Sequence, residues 1–344
     1  MQLSILRETQ QLKNLADEWN ALLNNSASHV PFLRHEYLLS WWKFLGGGEW
    51  QSGDLYTLVG RNEDGSLTGI APLFLTQANQ GKPTLMLLGS HEISDYLDII
   101  GKPDDLPVFI DSVFDHLSSQ EAPDWQVMDF YNIIETSPTL PLLEQAANRR
   151  GWRLTSSSRE EFHHCPVITL PGDWETYLAS LDKKQRHEIR RKLRRVEESQ
   201  VPVRWYIAED AARLDDEIEA FFHLMGQNAE KQSFLTATMR MQLESIIRAA
   251  FEHGWLQLAF LEVGGEKAAV YLNFDYDNRI WVYNSGLDND FGAYSPGWVL
   301  LAYLLQWAIE HGRQYFDFMR GNEDYKYRFG GVDRYIKRIS IERK

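Results

Sequence analysis

The segment Leu256–Gly330 changes from the two-residue period of strands to the longer period of a helix and back again. Three runs rich in β-branched and aromatic residues each predict a strand: Leu256–Val263, Lys267–Asp275 and Arg279–Ser285. The next run, Pro296–His311, has no wide polar face, which predicts a helix that is buried on nearly all sides. A short apolar strand and a polar tail follow over Tyr315–Arg328. The predicted order is therefore β-β-β-α-β.

Local turn and capping residues support these boundaries. A Gly-Gly pair at 264–265 and an Asp-Asn pair at 277–278 lie between apolar runs, where they predict short hairpin turns. Ser295 suits the N-cap of the long helix, and Pro296 suits its first position. Gly312 stands where a left-handed residue commonly ends a helix.

The first half of the chain repeats the same order of elements. Its strands, helix and closing strand are predicted at Leu55–Arg61, Ser66–Leu75, Thr84–Leu88, Leu106–Ser118 and Trp125–Tyr131. The sequence Val-Met-Asp-Phe at 127–130 is similar to Tyr-Phe-Asp-Phe at 315–318, and each follows a helix and a turn. This similarity favours a duplication. A polar connector at 156–161 separates the halves, which predicts domains at 1–160 and 161–344.

The most charged stretch of the chain, Lys183–Arg195, predicts an amphipathic helix. Four cations on its polar side are candidate substrate-binding residues: Lys184, Arg186, Arg190 and Arg194. Such a face is commonly just solvated. However, like charges four residues apart repel by roughly a few tenths of a kcal/mol per pair, and an anionic ligand would offset this repulsion. The phosphate of a nucleotide-linked substrate, of coenzyme A or of tRNA would each serve.

The turn Gly292–Gly297 directs backbone N–H groups and the positive end of a helix dipole toward small residues. It is therefore a candidate anion site, with four candidate cofactor-binding residues: Tyr294, Ser295, Pro296 and Gly297. Helix capping alone would explain the same residues.

Acids, bases and aromatic residues cluster after the last predicted strand, over Phe316–Gly330. The candidate catalytic residues in this cluster are Asp317, Glu323, Tyr325 and Lys326. Asp317 lies between two phenylalanines, so its carboxylate must be paired, or its pKa rises through desolvation, which suits a proton acceptor for an amine. The alternative is a structural ion pair with Lys326 or Arg320.

Composition narrows the range of partners. The formal net charge of −14 over 344 residues disfavours non-specific binding to nucleic acid or to an anionic membrane. The single cysteine, Cys165, excludes an intramolecular disulfide and a thiolate zinc cluster. His163 and His164 precede it, but no second pair of ligands lies at a suitable spacing, so no metal site is predicted.

Without a signal-peptide pattern or an apolar run of spanning length, we expect a cytoplasmic protein with no membrane span and no DNA partner.

Several motifs stand together in the second half of the chain. They are Trp174, Leu181-x-x-Lys184-x-Arg186, Arg190-Arg191, Arg194-Arg195, Tyr283-Asn284-Ser285-Gly286, Ser295-Pro296-Gly297, Phe316-Asp317-Phe318 and Gly321-Asn322-Glu323-x-Tyr325-Lys326. With them the chain resembles the CelD-like acetyltransferase branch of the GNAT superfamily, which is related to the Fem peptidoglycan-bridge aminoacyltransferases. The resemblance implies a mixed α/β fold with two tandem GNAT-like (acyl-CoA N-acyltransferase) domains.

The same resemblance implies an N-acyltransferase that uses acyl-CoA, such as acetyl-CoA, as its donor. Its acceptor would be a small-molecule amine or a sugar-linked one, such as an envelope or exopolysaccharide precursor. Asp317 or Glu323 would help to deprotonate the amine, and strand-edge N–H groups near Tyr283 would polarise the thioester carbonyl. Tyr283 or Tyr325 would protonate the leaving thiolate.

Two alternatives stay open at this point. The first is an aminoacyl-tRNA-dependent Fem-like ligase; because no inserted coiled-coil arm is found, tRNA is the less favoured donor. The second is a non-catalytic GNAT-fold scaffold in polysaccharide synthesis.

Overall fold

The computed structural model describes residues 1–157 and 163–343. Its helices are α1 (Thr9–Lys13), α2 (Ala16–Leu23), α3 (His35–Gly48), α4 (Leu106–Ser118), α5 (Thr139–Arg149), α6 (Trp174–Ser180), α7 (Lys183–Glu197), α8 (Leu214–Met225), α9 (Ala229–Phe234), α10 (Ala237–Glu252), α11 (Pro296–Glu310) and α12 (Asp324–Arg328). Its strands are β1 (Gln2–Leu6), β2 (Asp54–Leu55), β3 (Thr57–Arg61), β4 (Leu67–Ala71), β5 (Leu73–Ala78), β6 (Lys82–Leu87), β7 (Ile100–Gly101), β8 (Val127–Ile134), β9 (Arg153–Ser156), β10 (His163–Thr169), β11 (Val203–Ile207), β12 (Leu256–Val263), β13 (Glu266–Tyr276), β14 (Arg279–Leu287), β15 (Tyr315–Asp317) and β16 (Val332–Glu342). The chain forms two compact units, unit 1 (Met1–His163 with Tyr335–Lys344) and unit 2 (His164–Arg334).

Unit 2 is built on strands in the order β11-β12-β13-β14-β15-β10. Neighbouring strands are antiparallel except β14 and β15, which run parallel and are connected through α11. The predicted β-β-β-α-β order is therefore confirmed over β12–β15. Asp277 and Asn278 both have a φ of 53°, the left-handed conformation that a two-residue hairpin turn requires, so this predicted turn is confirmed as well.

Unit 1 repeats the arrangement. Its strands β6 and β8 run parallel and are connected through α4, and β8 pairs with the β16 residues Ile336–Glu342. The two similar tetrapeptides, 127–130 and 315–318, lie in the equivalent strands β8 and β15. In each of them the aspartate, Asp129 or Asp317, is buried and ion-paired with an arginine. The predicted repeat is thus visible in the order of elements and in this paired carboxylate.

Elements that were not predicted from the sequence include β7, β10, β16, α9 and α12. The segment Tyr335–Lys344 lies in unit 1, whereas the sequence-based division had put it in the second domain. The connector expected at 156–161 falls in part on residues 158–162, outside the described ranges.

Different helices cover the two faces of the unit 2 sheet. Ala259 and Leu261 of β12 belong to the same buried cluster as the side chains of α11. Phe260, between them, points to the opposite face because side chains alternate along a strand. There the Nζ atom of Lys267 lies 4.7 Å from the Phe260 ring centroid and 2.6 Å from Oε2 of Glu217 in α8. Helix α11 therefore covers one face, and α8 covers the other.

Candidate functional site

The two parallel strands of unit 2 separate shortly after they begin to pair. Their pairing joins Arg279–Trp281 to Tyr315–Asp317, where β15 ends, but β14 continues to Leu287. In the pairing with β13, Leu272 lies opposite Asn284 and the next residue lies opposite Val282, so Tyr283 is the extra residue of a β-bulge. A bulge bends its strand and increases the local twist. The second half of β14 thus borders a gap in the sheet.

A cavity of about 320 Å³ lies on the α11 side of this gap. Tyr271 of β13, Ser285 of β14 and Tyr325 of α12 line it together with the first turn of α11. Three of the four predicted cofactor-binding residues lie in its wall: Ser295, Pro296 and Gly297. The fourth, Tyr294, ends the 3-10 turn that leads into them.

Ser295 holds two cations at the start of α11. Its hydroxyl accepts hydrogen bonds from Lys192 Nζ at 2.7 Å and from Arg195 Nη2 at 3.0 Å. Ser295 occupies the N-cap position of α11 as predicted, but it has a left-handed φ of 52° and its side chain makes no capping hydrogen bond. Lys192 also lies 5.2 Å from the ring centroid of Trp298, and burial lowers the pKa of its ammonium group. Two cations thus flank the positive end of a helix dipole, an arrangement that binds anions.

Three of the four cations expected to bind substrate make other contacts. Arg190 is ion-paired with Glu175, Arg194 with Glu198 at 3.9 Å, and Arg186 donates to a backbone carbonyl at 3.3 Å. Lys184 is exposed. Sequence reasoning missed Lys192 and Arg195, although a signal was present. Both flank the buried stripe of α7, which is Ile189, Leu193 and Val196, so they extend from the helix along the packed side.

Asp317 is fully buried where the two parallel strands still pair. Its Oδ2 atom lies 3.1 Å from Arg279 Nη1, and its Oδ1 atom accepts the backbone N–H of Met319 at 2.8 Å. The structure therefore gives this carboxylate an arginine partner that the sequence did not suggest. Trp281, which lies opposite Asp317 in the sheet, is four residues before the cavity residue Ser285. At roughly 3.3 Å per strand residue, Trp281 and Ser285 are about 13 Å apart along β14.

Lys326 and Glu323 interact with the loop after β15. The Lys326 side chain is 3% exposed and donates to the carbonyls of Arg320 at 2.9 Å and Gly321 at 3.2 Å. Its Nζ atom also lies 3.0 Å from Glu323 Oε2. Because its donors are engaged in these bonds, Lys326 fixes the course of the loop, whereas Glu323 remains largely exposed.

Of the two candidate tyrosines, Tyr325 lines the cavity, whereas Tyr283 stacks on Phe274 with ring centroids 5.0 Å apart. Burial, with a smaller contribution from the charge of Glu323, raises the pKa of Tyr325 far above its usual range. Burial likewise raises the pKa of Tyr271, whose hydroxyl donates to the Gly297 carbonyl at 3.4 Å. Tyr325 therefore stays protonated at any physiological pH.

Lys231 is a further residue that sequence reasoning missed. It lies in α9 and donates to Asn284 Oδ1 at 2.9 Å and to the Ser285 carbonyl at 2.6 Å. Helix α9 is short and has no buried residue, so it lacks the apolar period by which helices are recognised in a sequence.

Among the described residues, the group that lies close enough together to share a metal ion does not include His163, His164 or Cys165. Cys165 is fully buried, and His164 Nδ1 lies 2.8 Å from Asp333 Oδ2. In the described part of unit 1, Glu49 and Glu92 approach the same imidazole, that of His91, but at opposite ring nitrogens, 3.4 Å from Nε2 and 3.2 Å from Nδ1. One possible ligand atom from each of the three residues lies within 4.8 Å of those from the other two. No helix in the described ranges combines the length and the apolar character needed to cross a bilayer.

Residues 183–327 match the family model of the acetyltransferase (GNAT) domain. This span begins with α7, includes β12–β15 and α11, and ends within α12, so it contains Ser295, Lys192, Arg195 and the cavity. No curated protein matches the sequence.

Solved structures share the fold over nearly the whole chain. FemX has a TM-score of 0.63 at 12% identity, with 98% of this chain and 97% of FemX covered. A conserved protein of unknown function from Bacteroides thetaiotaomicron VPI-5482 has a TM-score of 0.62 at 15% identity, with 99% and 100% covered. The structure of L-PGS from Bacillus licheniformis has a TM-score of 0.56 at 15% identity, with 95% and 91% covered. These likenesses concern the fold, which is mixed α/β with two tandem GNAT-like domains.

Proposed function

We propose that this chain is an acyltransferase of a GNAT branch related to the Fem transferases, and that it moves an acyl group from acyl-CoA to an amine. The observation that carries the proposal is the start of α11, where Lys192 and Arg195 converge on Ser295 beside the cavity. A pyrophosphate is an anion of suitable charge for two cations and a helix N-terminus. The apolar cavity wall would then receive the thioester end of the donor.

In the proposed reaction, the amine nitrogen attacks the thioester carbon, the carbon–sulfur bond breaks, and the thiolate takes up a proton. Tyr325 lines the cavity and keeps its proton, so we assign it as the acid for the thiolate. Glu323 is the candidate acceptor of the amine proton, because it lies two residues before Tyr325 and its side chain is 58% exposed. Backbone N–H groups at the bulge around Tyr283 would polarise the carbonyl. Asp317 and Lys326 would act by holding β15 and the loop that follows it.

The acceptor is proposed to be an amino sugar or another envelope or exopolysaccharide precursor, by analogy with the family alone. An aminoacyl-tRNA donor is the second candidate. It is favoured by the fold shared with FemX and by the exposed arginines of α7, of which Arg190, Arg191 and Arg194 border a surface groove.

Calorimetry with acetyl-CoA and desulfo-CoA tests the donor. If the proposal is right, both ligands bind to the same site with one-to-one stoichiometry, because the phosphates rather than the sulfur supply most contacts. A filter-binding assay with aminoacyl-tRNA is the parallel arm. Binding of the tRNA without binding of either CoA compound would replace the proposal by the second candidate. Binding of neither class would favour the non-catalytic scaffold.

A further inference from the structure

Lys231 lies beside the gap where β14 leaves β15, on the face opposite the donor cavity. Ser285 lines that cavity, and its neighbour Asn284 points the other way because side chains alternate along a strand. Gly286 shares the Asn284 side, and a Cβ atom there would lie 2.4 Å from the backbone of Leu224 at the end of α8. The bond from Lys231 to Asn284 Oδ1 therefore places the ammonium group on the α8 side of the sheet.

The ammonium group of Lys231 has neutral partners only. Its two hydrogen bonds go to the Asn284 amide oxygen and the Ser285 carbonyl. In the part of the chain that the structure describes, no carboxylate oxygen lies within 4.0 Å of its Nζ atom. Burial lowers the pKa of this group, and the negative charge of Glu323 offsets only part of the effect. A partly desolvated cation without a counter-ion is costly, and an anionic ligand would offset that cost.

One donor of the ammonium group is left for such a ligand. A lysine ammonium carries three N–H donors, and two are used by the bonds to Asn284 and Ser285. Asn284 Oδ1 also accepts the backbone N–H of Ser285 at 2.8 Å, so the amide is fixed by β14 and holds the ammonium group in place. The position of the charge is thus determined by the strand and not by a flexible side chain alone.

The donor's phosphates are an unsuitable occupant of this position. Ser295, Lys192 and Arg195 lie on the α11 side, and Lys231 lies on the α8 side. The acyl group and the attacking amine must meet in the gap, since the amine attacks the carbonyl from the side that the donor leaves open. The α8 side is therefore the side of the acceptor.

We propose that Lys231 binds a carboxylate or phosphate group of the acceptor, so that the acceptor is an amine that also carries an anion. The identification of the ligand as the acceptor rests on the proposed acyl transfer. The binding of an anion at Lys231 does not depend on that proposal. A second benefit follows from the same charge. A cation close to the attacking nitrogen disfavours ammonium and so favours the neutral amine that can react.

Calorimetry in the presence of desulfo-CoA tests the proposal with two matched pairs of amines. D-alanine and D-alaninamide differ in a carboxylate, and glucosamine 6-phosphate and glucosamine differ in a phosphate. We expect the anionic member of at least one pair to bind at least tenfold more tightly to the wild-type protein. Lys231→Met keeps the length of the side chain without its charge and should reduce that preference to less than twofold. The control Lys13→Met removes an exposed lysine of α1 and should leave the preference unchanged.

Equal binding within both pairs, no binding of either anion, or a preference that persists in Lys231→Met would overturn the assignment. Circular dichroism and the melting temperature of Lys231→Met establish that the variant is folded; if it is not, Lys231→Arg, which keeps the charge, must keep the preference. The two proposals fail separately. A protein that binds acetyl-CoA but shows no anion preference refutes the role of Lys231 alone, and one that binds anions through Lys231 but no CoA compound refutes the donor.

Discussion

Lys192 donates a hydrogen bond of 2.7 Å to the hydroxyl of Ser295, which follows it by 103 residues. This bond connects the basic helix α7 to the start of α11, and Arg195 adds a second bond to the same oxygen. A neutral hydroxyl accepts weaker hydrogen bonds from two cations than an anion would, so these cations would bind an anion more strongly. Under the proposed function this is the side of α7 that would meet the donor, and two predictions test it.

Gly297→Asp should weaken the binding of acetyl-CoA while leaving the fold intact. A Cβ atom at Gly297 would meet only Leu287 Cδ2 at 3.4 Å, an ordinary contact. A carboxylate in the first turn stabilises a helix through its dipole, but it repels a phosphate at the same turn. We expect a loss of roughly tenfold or more in affinity, about 1.4 kcal/mol, with an unchanged or higher melting temperature. Unchanged affinity by calorimetry would remove the donor from this turn.

Lys192→Met combined with Arg195→Met should raise the dissociation constant for acetyl-CoA and flatten its dependence on salt. The matched control is Arg190→Gln combined with Arg194→Gln, which removes two positive charges whose partners are Glu175 and Glu198. If both double variants weaken binding equally at each salt concentration, the effect is one of net charge and the contact with Ser295 has no special role.

Tyr325→Phe should lower kcat by roughly 10²-fold, the usual scale for the loss of a general acid, with little change in KM for the donor. Tyr283→Phe is the control and should retain most activity, because Tyr283 stacks on Phe274 and does not line the cavity. Since burial raises the pKa of Tyr325, no alkaline loss of activity attributable to this residue is expected below pH 10. A loss of activity in Tyr283→Phe but not in Tyr325→Phe would make Tyr283 the general acid in place of Tyr325.

Asp317→Asn should destabilise unit 2 by roughly 1–3 kcal/mol, because it leaves the Arg279 guanidinium without its buried carboxylate. The Arg279 side chain is 17% exposed, and its guanidinium carbon lies 4.6 Å from the Trp281 ring centroid; both features moderate the cost. Urea unfolding measures the change, and the turnover per folded molecule should stay near that of the wild type. Normal stability with turnover reduced by roughly 10²–10⁴-fold would instead make Asp317 the proton acceptor.

Asp98→Asn tests a buried carboxyl of unit 1. Asp98 is 1% exposed and accepts hydrogen bonds from Ser137 Oγ at 2.6 Å and the Ile99 N–H at 2.8 Å. Burial raises its pKa, so the protonated form is favoured by folding. Its contribution to the free energy of unfolding is therefore full below about pH 4 and is lost as the pH rises through the folded pKa. Relative to wild type, the variant should gain stability over that rise; a pH-independent difference in urea unfolding would contradict this.

Local signals in the sequence were sufficient for much of the fold. The pair Asp277-Asn278 adopts left-handed backbone by its own chemistry, and Pro296 and Gly312 mark the ends of α11 by constraints that act within a few residues. Strands β12–β14 followed from composition and turns for the same reason. The predicted elements were therefore confirmed most often where the interactions that determine them join residues close together in the sequence.

The parts of the site that were missed depend on distant partners. Asp317 is paired with Arg279, 38 residues earlier, and no spacing rule links the two. Lys192 was not singled out among many cations, because only packing against α11 decides which of them meet Ser295. Lys231 lies in a helix of six residues that gains its position from β14. The sequence located the turn that faces the cavity, but it did not reveal the charges that surround it.

The division of unit 1 into two separated segments has a consequence for synthesis on the ribosome. Unit 2 is continuous, so all of its residues are synthesised before Tyr335. The N-terminal part of unit 1 must wait for Arg338, whose Nε atom lies 2.7 Å from Asp129 Oδ1 and which follows that carboxylate by 209 residues. Until then β8 lacks its β16 neighbour and Asp129 lacks this arginine. A chain that ends at Arg334 and has left the ribosome should therefore resist protease in unit 2 more than in unit 1, although unit 1 begins to be translated first.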